Sequence, residues 1–193
     1  MDTNHKAIPS KNEEYELLRT VNEALSQLLQ HEDEAKALDA AFQLVCTAAG
    51  CDGVYLFRQT NSATQLSTQV HFALRKREDK WNALSQKEID FLMNNGSIQT
   101  ELVNLFQEEE SLILHRKYSA EKWNIFWTEM EIESFFGFEL VVNKKHWGIV
   151  LFVSRIYQEH WTKTSFKLLL PFINGLAGFL AYKQTEQQQI QQN

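Results

Sequence analysis

The chain has 193 residues, a length that suits one globular domain with helical extensions and that buries roughly two thirds of the unfolded surface. Hydrophobic residues make up 44% and charged residues 23%, which argues against disorder and against a membrane class, and no apolar run approaches the ~20 residues of a membrane span. The net charge is −6, and the one dense basic cluster, Arg75, Lys76 and Arg77, is followed at once by Glu78 and Asp79, so nucleic acid is not an expected partner.

Residues 1–11 read as a polar leader without the pattern of a signal peptide, so a cytoplasmic protein is expected. A helix begins near Asn12, with Glu13 and Glu14 complementing its dipole and Leu18, Val21, Leu25, Leu28 and Leu29 forming its stripe. After a polar break at residues 31–33, a second helix places Leu38, Ala41, Phe42, Val45, Cys46 and Ala49 at i, i+3, i+4 spacing, and Gly50 ends it. Residues 53–58 form a strand, NSAT at 61–64 a turn, and Leu66, Thr68, Val70 and Phe72 an alternating second strand. From Arg75 the period is mainly helical, through Trp81, Leu84, Ile89 and 91–93, until Asn94-Asn95-Gly96 breaks it; a further piece covers 98–106. SLILH at 111–115 is a candidate strand, and Trp123, Phe126, Trp127 and Met130 follow helical spacing.

Strands at 135–142 and 147–155 flank the turn NKKH, and the second is apolar almost throughout, as a central strand covered on both faces should be. A closing helix is expected from about His160, with Thr162 or Thr164 as caps and a stripe of Phe166, Leu169, Leu170, Ile173, Leu176, Ala177 and Leu180. Pro171 within that helix predicts a kink near residue 167. Residues 186–193 are a polar, glutamine-rich helical tail, either solvated or half of a helical pair.

Two cysteines, Cys46 and Cys51, are expected as free thiols, and the six histidines have no i, i+4 pair and no metal-finger spacing from a cysteine, so no metal centre is expected. The seven glycines form no phosphate cradle, no Gly-x-Ser-x-Gly elbow is present, and no carboxylate stands at dyad spacing from His71 or His115. No catalytic constellation is visible.

The segment AGCDGVYLFR at 49–58, IESFFGFELVVNKKHWGIVLF at 132–152, and Trp161 followed by LLLPFINGLAGFLAYK at 168–183 resemble a GAF domain over residues 15–185. The resemblance implies an α+β, PAS-related fold over 12–185: a central antiparallel sheet, N- and C-terminal helices on one face, and a helical or loop cavity on the other. The cyclic-nucleotide signature of that family has no counterpart here, no cysteine follows Cys51 to attach a bilin late in the domain, and the mid-domain cysteines of the methionine-sulfoxide-reducing relatives are missing.

A ligand cavity implied by this resemblance would be lined by Tyr55, Phe57, His71, Trp81, Trp123, Trp127, Phe138 and Val153, with the two tryptophans at 123 and 127 as a lid; core packing is the competing reading for the same aromatics. Leu18, Val21, Leu25, Leu28, Leu176, Phe179 and Leu180 would pack on the sheet and also pair with a second copy. The function expected is that of a non-catalytic sensory domain that binds an unspecified small molecule and signals through a homodimer and its C-terminal helix, possessing a C-terminal output domain if the tail continues into one. The alternatives are a ligand-free dimerisation scaffold and an enzyme with Cys51 as nucleophile. The carboxylate Glu139, within a strand, needs water or a partner.

Overall fold

The structure, a computed structural model, describes residues 11–62, 65–106, 109–162 and 166–191. The expected leader up to residue 10, residues 63–64 of the expected turn, the candidate cap Thr164 and the last two tail residues lie outside them. Helices α1 (Lys11–Gln30) and α2 (Glu34–Ala49) lead into β1 (Gly53–Ser62), β2 (Gln65–Arg77) and β3 (Lys80–Asn82). Helices α3 (Gln86–Asn94) and α4 (Gly96–Leu105) precede β4 (Ser111–His115); two 3-10 turns (Arg116–Tyr118, Glu121–Trp123) and α5 (Asn124–Met130) follow. Strands β5 (Ser134–Val142) and β6 (Lys145–Ser154) and helix α6 (Leu170–Gln191) complete the chain. All six strands form one antiparallel sheet in the order β3-β2-β1-β6-β5-β4, so the apolar β6 is central, as its sequence predicts.

Local chemistry sets the boundaries. The Asp33 carboxylate accepts from the Lys36 amide at 2.9 Å to start α2, and Gly50 ends the helix in the left-handed region at φ 68°. Ser85 and Glu88 form a reciprocal capping box on α3, while the Asn95 side chain caps α4. Asn143 and Lys144 both have positive φ, the two-residue hairpin geometry that suits the right-handed twist of β5 and β6.

Two sequence expectations are corrected. Glu78 and Asp79 also take positive φ (48° and 61°), so β2 runs on to Arg77 and turns into β3, where a helical period is expected. Trp81 is therefore a strand residue. The kink expected near residue 167 is a break in the helix: residues 166–167 are helical, 168–169 form a turn, and α6 begins at Leu170, which puts Pro171 in its first turn, where the missing N–H would be unpaired anyway. Leu170, expected on the buried stripe, is exposed.

The sheet has a core on each face. On one side, α1, α2 and α6 cover Val54 and Leu56 of β1, Leu74 of β2, Phe136, Phe138 and Leu140 of β5, and Val150 and Phe152 of β6. Phe136 stacks on Phe152 at 4.7 Å and on Phe166 at 3.8 Å. On the other, distal, side, α3, α4 and α5 cover Tyr55, Phe57, Phe135, Ile149, Leu151 and Val153. Side chains two apart on one strand share a face, so β1 and β6 serve both cores at once.

This allocation corrects the expected dimer surface. Val21, Leu28, Leu176, Phe179 and Leu180 are buried within the single chain, and Leu25 packs against Gly175, where a Cβ would meet its Cδ2 at 2.1 Å. Only Leu18, 39% exposed, keeps substantial free surface, because the stripe that binds α1 and α6 to the sheet faces inward.

Two substitutions should move stability in opposite directions. A Cβ on Gly148 would lie 1.9 Å from the Phe57 carbonyl oxygen, a backbone atom in the neighbouring strand, so Gly148→Ala should lower stability by about 1–3 kcal/mol. Lys144→Gly relieves a left-handed residue and should raise it by about 1 kcal/mol. Urea unfolding midpoints measure both.

Candidate functional site

The distal face gathers the aromatic middle of the chain over the sheet. Trp123 enters from the second 3-10 turn and Phe126, Trp127 and Met130 from α5, all buried against Phe135 of β5 and Tyr55, Phe57 and Val153 of β1 and β6. Trp127 stacks on Phe135 at 5.5 Å and 29°, and Trp123 lies 6.4 Å from it. The Trp127 indole donates to the Ser119 hydroxyl at 2.7 Å, which fixes the ring's orientation. Both tryptophans are fully packed side chains occupying the compartment, rather than a lid over an open one.

Five of the eight expected cavity residues, Tyr55, Phe57, Trp123, Trp127 and Val153, thus meet on this face. The other three lie across the sheet. Phe138 shares the parity of Phe136 and faces the helical core. Trp81, carried by β3, packs on the α1–α2 layer and closes one end of a cleft of about 500 Å³ lined also by Leu17, Leu44 and Ala48. His71 sits where a register shift between Leu56 and Phe57 adds a residue to β2, and its Nε2 meets the Glu34 carboxylate of α2 at 2.5 Å. Its ring stands edge-on to Trp147 at 5.1 Å, and the hydrogen bond from His71 holds the Glu34 carboxyl below its ordinary range.

A buried charge network anchors α3 to the sheet at the rim of the distal compartment. Arg75, 2% exposed, donates to Glu88 at 2.5 Å and to the Glu131 carbonyl at 3.3 Å; Arg77 donates to the other Glu88 oxygen at 2.6 Å. Burial pushes the Glu88 carboxyl up, but hydrogen bonds from the Ser85 side chain and backbone, then Arg77 and Arg75, outweigh it and hold the group below its ordinary range. Sequence reasoning reads Arg75 only as part of a basic cluster and misses this pair. The available signal is the Ser85-x-x-Glu88 capping box, which places a carboxylate beside the end of β2.

Near this network the Tyr55 hydroxyl is buried and has no hydrogen-bond partner among the described residues, and burial drives its pKa well above the ordinary phenol range. Glu139 finds its partner in the imidazole of His146. His115 accepts or donates to Ser134 at 2.8 Å, and burial lowers its pKa. Cys46 and Cys51 are buried free thiols, and desolvation raises the Cys51 pKa well above the ordinary thiol value, the reverse of an activated nucleophile. Among the described residues no group of three or more His, Cys, Asp or Glu could hold a metal, and no helix is long and apolar enough to cross a membrane.

Solved structures share this architecture. The chromophore-binding domain of a bacteriophytochrome from R. palustris superposes with a TM-score of 0.70 at 13% identity, over 93% of this chain and 64% of that one. The phycocyanobilin-bound GAF domain of a cyanobacterial phytochrome gives 0.62 at 14% identity, over 92% and 98% of the two chains. The chain has the GAF fold. A second GAF-fold neighbour, from a phosphoenolpyruvate-protein phosphotransferase of Coxiella burnetii, gives 0.62 at 15% identity over 90% and 97%. The chain thus spans just under two thirds of the bacteriophytochrome domain and nearly the full length of the two isolated GAF domains. No protein-family model matches the sequence, and no curated protein does.

Replacing Arg75 by Met leaves Glu88 buried with only the half-exposed Arg77 as cation, and should destabilise the fold by about 3 kcal/mol in urea unfolding. Because the folded Glu88 value is depressed, its ionised form adds stability above the ordinary glutamate pKa, and this is lost as pH falls through the folded value. Glu88→Gln should therefore be less stable than the parent at neutral pH, with the difference closing in acid.

Proposed function

We propose that this GAF-fold chain is a non-catalytic regulatory domain that senses a small molecule on the distal face of its sheet and passes the state of that face to α6. The observation that carries the reading is the Tyr55 hydroxyl, a buried phenol with no partner among the described residues, among the apolar and aromatic side chains of the distal core. A ligand group that pairs with it gains a hydrogen bond in a low-dielectric site without displacing a protein partner of that hydroxyl. Two of the neighbouring solved domains belong to phytochromes, and one is bilin-bound. That supports a distal ligand here, although no cysteine follows Cys51 for late covalent attachment.

Transmission would run through β6. Ile149, Leu151 and Val153 face the ligand side, while Phe152 faces Phe42 at 6.0 Å, which in turn meets Phe172 of α6 at 5.6 Å. A ligand that moves Trp123 and Trp127 shifts α5 and β5, and the tightly packed sheet passes the displacement to α6; this requires different affinity for two helix arrangements. Beyond Lys183, which donates to the Glu32 carbonyl at 2.7 Å, α6 is polar to Gln191 except for Ile190 and suits a connection to an output domain. Homodimerisation would use part of the apolar surface left free on α1 and α6, which includes Tyr15, Leu18, Leu29 and Tyr182.

A second reading, a ligand-free dimerisation scaffold, is favoured by one observation: Trp123 and Trp127 already fill the compartment. The two separate in a thermal-shift panel of metabolites read together with tryptophan emission. A compound that raises the melting temperature and moves the emission of the parent, and does neither in Trp127→Phe, supports sensing; a flat panel with an intact dimer supports the scaffold. Leu18→Glu should weaken self-association at least ten-fold in sedimentation equilibrium, and an unchanged dimer would place the interface elsewhere.

A further inference from the structure

A row of polar side chains crosses the distal face at the end of the sheet where both long hairpins turn. Gln59 of β1 stands directly opposite Thr68 of β2, and two residues further along these strands Phe57 opposes Val70, both packed in the distal core. Gln59 and Thr68 therefore point to the same side. On the adjoining pair, Glu139 has the parity of Phe135, and His146 lies opposite Val141 with the same parity. Strands β1 and β6 are neighbours, paired as far as Arg58 and Gly148; Glu139 stands on the rung of Ile149, Phe57 and Val70, one same-face step from Gln59 and Thr68, and His146 lies just beyond the last β1–β6 pair, so the four residues occupy neighbouring positions on four adjacent strands.

This row concentrates unmet hydrogen-bonding capacity. Five buried side-chain polar atoms lack a partner among the described residues, and three of them are here: Gln59 Oε1, Thr68 Oγ1 and His146 Nε2. Thr68 is 2% exposed, beneath the layer where α4 packs on β2. Isolated unpaired atoms occur in most folds, but three on adjacent strands facing the same compartment mark a place built to be filled. The chemistry of the row is also defined. An ionised carboxylate only accepts, so His146 Nδ1 donates to Glu139, which leaves Nε2 as the ring atom turned to a further partner. The Gln59 carbonyl presents an acceptor and the Thr68 hydroxyl can accept or donate. The Glu139 charge repels anions, and the adjoining Phe57 and Ile149 disfavour any net charge.

We infer that Gln59, Thr68 and the Glu139–His146 pair are the polar anchor for the distal ligand, and that this ligand is a small neutral molecule with at least two N–H or O–H donors, such as a primary amide, a polyol or an amino-substituted ring. The inference rests on the sensory reading and adds to it the class of molecule and the residues that select it. Tyr55 and the tryptophans form the apolar end of the same face.

The test uses acetamide and acetate, matched in shape and differing in donors and charge, titrated into the full-length 15N-labelled chain while the His146 ring nitrogens and the Gln59 side-chain amide are followed by NMR. Saturable movement of His146 Nε2 and of Gln59 with acetamide, and none with acetate at equal concentration, is the expected result. Thr68→Val should weaken acetamide binding roughly ten-fold while raising the melting temperature, since it deletes an unpaired buried hydroxyl. Gln59→Leu should weaken binding similarly and guards against a folding defect in the first variant. A linear, non-saturating drift, equal response to acetate, or acetamide binding indifferent to both variants overturns the anchor, as does a lowered melting temperature in Thr68→Val, which would mark structural water as the partner. A metabolite that shifts tryptophan emission without moving His146 likewise refutes the anchor and leaves the sensory reading standing; saturable acetamide binding beside a flat metabolite panel supports the anchor and counts against the reading.

Discussion

Strands β1 and β6 are buried on both faces, and the rest of the molecule is arranged around that pairing. Each successive side chain from Ile149 to Val153 alternates between the helical core and the distal core, so neither face can be repacked without the other feeling it. The strands approach closely enough that Gly148 leaves no room for a Cβ beside the Phe57 carbonyl. Close-packed interiors transmit displacement rather than absorb it. A sheet of this kind, with the terminal helices on one side and an aromatic compartment on the other, is the route that the proposed sensory function would use.

The distal compartment has two chemically different ends. One is aromatic, with Trp127 held against Phe135 and fixed by Ser119, and it adjoins the Arg75–Glu88 pair that ties α3 to β2. The other holds the polar row at the hairpin ends. Charged pairs of the first kind do little for net stability but are costly to break singly, which suits them to holding a layer in one position. The unmet polar atoms do the opposite, because each costs stability for as long as it is unpaired.

Much of the fold is legible in the sequence because its signals are local and redundant. The helical stripe of α2 with its terminal Gly50, the apolar run of β6 and the strand 111–115 each follow from spacing alone. What is not legible turns on single residues. The turn Glu78-Asp79 has left-handed geometry without the asparagine or glycine that would announce it, so β3 is hidden and Trp81 falls at an accidental helical spacing from Leu84. The extra residue in β2 near His71 reverses which face the chain presents, an event that alternation cannot reveal. Phe138 lies in a segment apolar on both faces, where parity gives two sets but not which set meets the helices. The stripes of α1 and α6 identify surfaces that must be buried, and burial within the chain satisfies them as well as a second copy would.

The central claim is that the distal compartment holds a small molecule whose presence the sheet reports to α6. Native mass spectrometry of the purified protein beside a denaturing spectrum tests this most directly. The account predicts a complex heavier than the bare chain by a definite small-molecule mass, neutral and rich in donors, that is released on denaturation. A bare dimer whose mass does not change when candidate metabolites are added at millimolar concentration would contradict it, and would leave a domain in which Trp123 and Trp127 are simply core.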